Sequence, residues 1–137
     1  MEGRAPLPPA AATLGMELIE ADLEKGTIEL GFTAREEWTN PAGNVLGAFI
    51  AAMLYDTVGP ALLATLAHDQ FQATEKIEVH FLNPLRPGRV VARGRILERN
   101  GDEAVLDAEL IDGNETTIAT ATATARVIPL DHAPHAV

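Results

Sequence analysis

The sequence predicts an α+β domain in which a curved antiparallel β-sheet wraps one long central helix. Residues 45–66 form a helical run that is apolar on nearly every side, and a helix without a polar face must be covered by other elements. Six segments around it alternate apolar and polar residues at the period of half-buried strands, two before the helix and four after it. The last of these places Ala119, Ala121, Ala123 and Ala125 on one face, a row small enough for a helix to lie close against it.

Residues 1–15, rich in Pro and Ala, read as an N-terminal arm, and 16–129 as the single domain. Strands are expected at 16–23 and 26–33, joined by a turn at Lys25 and Gly26, with Ile28, Leu30 and Phe32 sharing one face. The breaker-rich segment 35–44 leads into the helix, where Gly59 and Pro60 predict a kink or break. After a connection at 68–72, Ile77, Val79 and Phe81 alternate with Lys76, Glu78 and His80, and NPLRPG ends that strand. Strands at 89–98 and 103–111 flank Asn100-Gly101-Asp102, a hairpin signal. A turn at Gly113 and Asn114 precedes the last strand, 116–128, and residues 130–137 form a polar tail.

At 137 residues the chain is large enough for one core but not two. Its 47% apolar content places it among globular rather than disordered proteins. Without cysteine there is no disulfide, no thiolate nucleophile and no Cys-ligated metal. His68, His80, His132 and His135 lack the spacing of a zinc site, so no metal is expected. A formal charge of −10 argues against nucleic acid as a partner. Arg86, Arg89, Arg93, Arg95 and Arg99 nevertheless fall close together. They read either as solvated strand-face charges or as a basic rim for the phosphates of a nucleotide-containing ligand. The N-terminus lacks the pattern of a secretory signal, and Asp56, Gly59 and Pro60 interrupt the apolar helix. A cytoplasmic protein with no membrane partner is expected.

Two features near the helix could carry chemistry. The helix N-terminus offers unpaired backbone N–H groups and a positive dipole end, suited to a developing oxyanion. Gly47 would let a ligand approach them closely, or would simply permit tight loop-to-helix packing. Asp56 puts one carboxylate in an apolar helix, where it must find a partner or take up a proton.

The run NPAGNVLGAFIAAMLYD, with FLNPLRPG downstream, resembles the acyl-CoA thioesterases of the phenylacetate-degradation type, within the hotdog-fold superfamily that also includes 4-hydroxybenzoyl-CoA thioesterase-like enzymes. Asn40, Pro41, Gly43, Val45 and Gly47 match that family's motif, and the chain departs from it at Leu46, Ala48 and Tyr55. Leu46 stands where relatives carry His or Gln, Ala48 where they carry a second Gly, and Tyr55 where they carry the catalytic acid. Asp56 comes one residue late.

The resemblance implies the hotdog fold, a homodimer or homotetramer with sites between subunits, and coenzyme A as part of the substrate with no further cofactor. It implies catalytic roles for Asn40, Gly47, Thr74 and Asp56, and places Leu46, Ala48, Tyr55, Asn83 and Arg86 on the substrate side. Asn40 would position the water or support the loop, and is otherwise an Asn-Pro turn former. Thr74 would orient the water, and is otherwise a strand threonine. For Asp56 three accounts stand: it is the base of a rebuilt site, Tyr55 occupies the site instead, or hydrolysis is lost. One residue turns about 100° around a helix, so a carboxylate moved from 55 to 56 takes a new aim. The function expected is an acyl-CoA thioesterase. Its alternative is a catalytically weak or inactive protein binding acyl-CoA or a hydrophobic small molecule, and a dehydratase or hydratase is the third possibility.

Overall fold

The computed structural model describes residues 7–135. An antiparallel sheet of six strands curls around one long helix, as the alternation pattern requires. In chain order the elements are α1 (Pro9–Thr13), β1 (Glu17–Asp22), β2 (Thr27–Ala34), α2 (Gly47–Leu63), β3 (Gln70–Phe81), β4 (Gly88–Asn100), β5 (Glu103–Ile111) and β6 (Thr117–Pro129). Short 3₁₀ turns cover Glu36–Trp38 and Leu130–His135. The sheet order is β1-β2-β4-β5-β6-β3. The chain leaves the helix at the far edge of the sheet, so β1 and β3 are the two edge strands.

The inner face is built by period-two alternation. Ala104, Leu106, Ala108 and Leu110 of β5 point inward, as do Ala119, Ala121, Ala123, Ala125 and Val127 of β6, all buried. Thr122 and Thr124 lie on the opposite, exposed face. Small side chains on this floor let α2 sink onto it. One close approach is at Gly94 of β4, where an added Cβ would meet Thr57 Cγ2 at 2.9 Å and Thr57 O at 3.3 Å. Thr57 is itself buried, and its hydroxyl donates to Met53 O at 2.7 Å.

The structure departs from the sequence reading in four places. Of the expected arm, residues 1–6 lie outside the described part, and α1 is docked with Ala11 and Leu14 buried in the core. The helix does not break at Gly59: Gly59 and Pro60 are buried inside it, and regular bonding resumes with Ala64 N–H donating to Pro60 O at 3.0 Å. β3 begins at Gln70 rather than beyond the connection expected at 68–72, because Gln72 and Thr74 pair with Val127 and Ala125. The β5–β6 turn falls at Gly113 and Asn114 as expected, followed by Glu115 in the left-handed region (φ 61°). Asp112 Oδ1 holds that turn by accepting from the backbone N–H groups of Asn114 and Thr116. Finally, α2 is not covered all round: Ala48 and Tyr55 are exposed and Ala51, Ala52 and Asp56 half-buried, a stripe that the sheet of one chain does not reach. The other three turns and strand boundaries agree with the sequence to within a few residues. Of the expected tail, residues 136 and 137 lie outside the described part, and the 3₁₀ turn before them is tied back by Leu130 N–H to Asp69 O at 2.9 Å.

The contact at Gly94 generates a stability prediction. Gly94→Ala drives a methyl into the Thr57 backbone and should destabilise the protein by about 1–3 kcal/mol, as overpacking of a tight core does. Urea unfolding of the variant beside the parent checks it.

Candidate functional site

The segment ahead of α2 is held from several directions, which fixes where the helix begins. Thr39 bridges to Val45 across the loop. Leu46 N–H donates to Trp38 O and Val45 N–H to Leu85 O, both at 2.8 Å. Trp38 stacks on Phe49 with ring centroids 4.7 Å apart and planes 2° from parallel. Asn40 Oδ1 accepts from the N–H groups of Ala42 (3.0 Å) and Asn44 (3.2 Å), so its carbonyl is spent on the turn. Gly43 adopts φ +83°, a conformation glycine takes without strain. Arg86 Nη1 closes over it, donating to Gly43 O at 3.2 Å and Ala42 O at 3.4 Å.

Leu46 caps α2 with no side-chain hydrogen bond. Phe49 N–H and Ile50 N–H both turn back to Leu46 O, while the N–H groups of Gly47 and Ala48 donate to no backbone carbonyl among the described residues. Gly47 lines a cleft of ≈ 410 Å³ between the start of the helix and the end of β3, together with Asn40, Asn44, Phe81 and Asn83 among others. Phe81 lies over the helix start: a Cβ on residue 47 would come within 3.2 Å of its Cε1. Asn83 Nδ2 donates to Thr117 O at 2.8 Å and so anchors the end of β3. Leu46, ahead of the helix, is 47% exposed.

Asp56 sits on the open side of α2, nine residues after Gly47. Its Oδ2 is buried without a hydrogen-bond partner among the described residues. Burial alone pushes its carboxyl from 3.8 up to about 6. Pro60, four residues on, has no N–H to give the Asp56 carbonyl, so the backbone there is also one bond short. Tyr55, 39% exposed, points further out along the same open stripe. At about 1.5 Å per residue, Asp56 lies roughly 13 Å along the axis from the free amides, beyond the reach of one reacting carbon.

β3 runs antiparallel to α2, with Phe81 against Gly47 at one end and Gln72 against Gly59 at the other. Thr74 falls between these contacts, as Asp56 does. Thr74 is buried, and its hydroxyl donates to Gln72 Oε1 at 3.0 Å. Gln72 was not legible as a site residue, because strict alternation puts Gln72 and Thr74 on the face opposite Ile77 and Val79, and only the bulge at Glu75 brings them to the same face.

The arginines near the end of β3 are mostly spent within the chain. Arg89 pairs with Glu17 at 2.9 Å, Arg93 lies 3.8 Å from Glu29 and 3.7 Å from Glu109, and Arg95 makes a two-pronged contact with Asp107. Arg99 Nε donates to Gly101 O. This is the solvated strand-face arrangement, and it leaves Arg86 alone beside the cleft. Among the described residues no group of His, Asp and Glu is placed to hold a metal ion, and no helix is long and apolar enough to cross a membrane.

A curled sheet around one helix, with free amides at the helix start, defines the hotdog class. The family model of the thioesterase superfamily matches residues 42–119, and the chain belongs to that superfamily. A candidate thioesterase related to phenylacetic acid degradation from Ralstonia eutropha JMP134 is similar in structure, with a TM-score of 0.87, 34% identity, and coverage of 90% of this chain and 93% of that one. A thioesterase family protein from Silicibacter pomeroyi aligns with a TM-score of 0.82 and 26% identity over 89% and 90% of the two chains. A candidate esterase of Saccharolobus solfataricus is 28% identical over 93 residues, 68% of this chain and 66% of that protein, so the chain spans just under two thirds of its length.

The raised Asp56 carboxyl has a consequence for stability. Its folded-state value lies above its unfolded one, so the stability carried by the protonated form is complete below about pH 4 and is lost as pH rises through about 6. The loss is at most about 3 kcal/mol and is reduced by solvent on its open side. Asp56→Asn keeps the neutral form at every pH. It should therefore be more stable than the parent by about 1–2 kcal/mol at pH 8 and equal to it at pH 4, as read from urea titrations at the two values.

Proposed function

We propose that this protein is an acyl-CoA thioesterase, hydrolysing an acyl thioester to the free acid and coenzyme A. The observation that carries the reading is the pairing, on one helix, of unpartnered N–H groups at Gly47 and Ala48 with an unpartnered buried carboxylate at Asp56. In the reaction the thioester carbonyl oxygen sits against the Gly47 and Ala48 amides. Asp56 takes a proton from water as the water oxygen bonds to the carbonyl carbon, giving a tetrahedral oxyanion. The oxyanion collapses, the C–S bond breaks, and the proton on Asp56 passes to the departing sulfur. Arg86, whose Nε and Nη2 make no hydrogen bond among the described residues, is suited to a phosphate of coenzyme A beside the cleft.

Amides and carboxylate of one chain are too far apart to share a substrate, which supports a homodimer in which Asp56 of one copy faces Gly47 of the other. The free edge of β3 and the uncovered stripe Ala48, Ala52 and Tyr55 supply surfaces for that pairing. Homodimers could pair again into a tetramer. At micromolar concentration, sedimentation should give at least twice the 14.6 kDa chain mass; a species of 14.6 kDa would remove the shared site.

A panel of acyl-CoA substrates with released-thiol detection tests the activity itself. Asp56→Asn should lose at least about 10²-fold in kcat while binding and fold persist. In the parent, kcat/KM should rise with pH through about 6, since the base must be ionised. A second reading, a protein that binds acyl-CoA or a hydrophobic small molecule with little or no turnover, is favoured by Tyr55, which stands exposed at the position where relatives carry the acid. On that reading Asp56→Asn changes nothing and Tyr55→Asp raises a weak activity, because a carboxylate there accepts the water's proton and a phenol does so poorly at neutral pH.

A further inference from the structure

Gln72 is a polar residue facing a helix across an otherwise apolar interface, and its contacts are unusual. It pairs in register with buried Val127, so its side chain lies on the inner face of β3. Its Oε1 accepts the Thr74 hydroxyl at 3.0 Å. Its Nε2 makes no hydrogen bond among the described residues and lies 2.8 Å from the point a Cβ on residue 59 would occupy. A Cβ at 59 would push that amide group aside. A glycine in a helix interior is disfavoured, and here it is followed by a proline.

Residue 59 is three positions after Asp56, on the same helix face, where Cβ positions are about 5–6 Å apart. An amide with unused donors therefore stands one turn from a carboxylate oxygen with no donor. No other charged group bonds to that oxygen among the described residues. The inward residues of β2, β5 and β6, and of β4 as far as Ile96, are apolar or glycine; past the bulge at Leu97 the register puts Arg99 on the face of Ala104, with β5 and β6 between it and β3, and its Nε donates to Gly101 O. The inward residues of β3 besides Gln70, Gln72 and Thr74 are Ile77, Val79 and Phe81. Glu75, at the bulge, turns outward to Arg126. On α2 itself the titratable neighbour is Tyr55, which points further out.

We propose that Gln72 is a positioning residue for the site: its amide oxygen holds the Thr74 hydroxyl, and its amide nitrogen donates through one water to the Asp56 carboxylate, fixing that carboxylate's orientation and favouring its charged form. The inference rests on the reading of Asp56 as the base, but its own readout does not depend on turnover.

Two variants approach Gln72 from opposite sides. Gln72→Leu removes both hydrogen-bonding atoms at similar volume. Gly59→Ala leaves Gln72 in place but puts a methyl where its Nε2 lies, and it raises helix propensity, so the fold is not at risk from the helix side. The Asp56 carboxyl is titrated by carbon-detected NMR in the parent and both variants, with Asp56→Asn assigning the signal, and kcat and KM on acyl-CoA are measured alongside.

With the donor lost or displaced, the Asp56 midpoint should move up by about one pH unit, a tenfold change in its proton affinity. The acid limb of kcat/KM should move with it, and kcat at pH 6.5 should fall several-fold with KM little changed. An unchanged midpoint in both variants overturns the proposal, whatever happens to activity. If Asp56→Asn keeps full turnover while the midpoint still moves, the base assignment fails and the Gln72 contact stands. If Asp56→Asn is inactive and the midpoint does not move, the base assignment stands and the Gln72 contact fails.

Discussion

The depth to which α2 sinks into the sheet governs the rest of the molecule. Gly94 and the alanine row of β6 bring the helix backbone within contact distance of the strands, and Thr57 is buried at that point. Packing this close buries one side of the helix thoroughly, at roughly 25 cal/mol for each Å² of apolar surface removed from water. It also commits the opposite side. A sheet drawn in so tightly cannot reach around to Ala48, Ala52 and Tyr55, and the stripe they form is left for another surface. The carboxylate falls at the boundary between the two sides, which is why it is half covered and without a partner.

In the proposed reaction that boundary lets the acid act from position 56. At position 55 the side chain points along the open stripe, and at 56 it turns about 100° toward β3. The turn takes the carboxyl out of solvent, and burial raises its proton affinity. In the proposed reaction a base whose carboxyl sits at about 6 accepts protons more readily than an exposed aspartate would, at the expense of the folded state's stability above that pH. The phenol of Tyr55 meanwhile occupies the exposed position.

Much of the fold was legible because it rests on period. The inward faces of β2, β5 and β6 and the full extent of β5 follow from strict alternation, and the hairpin at Gly101 from turn chemistry. Where alternation is interrupted, legibility ends. The bulge at Glu75 shifts the parity of β3 by one residue, which hid its first turn's worth of inward polar groups and delayed its apparent start. Gly59 and Pro60 signalled a break that tertiary packing overrode, since both are buried. At the site, Gly47 and Asp56 could be singled out from chemistry alone. The partners of Asn40, Arg86 and Gln72 are long-range or depend on side-chain aim, and no spacing rule encodes them.

The clasp over Gly43 has a consequence for timing. Arg86, the Asn40 carbonyl and the Trp38–Phe49 stack hold the first turn of α2 through contacts within the chain. In the proposed reaction the dipoles that meet the growing negative charge are thus already oriented when substrate arrives, and little reorganisation energy remains to be spent as the barrier is crossed. A loop that had to assemble on each encounter would trade part of the binding energy for order. Here that ordering is done once, when the chain folds.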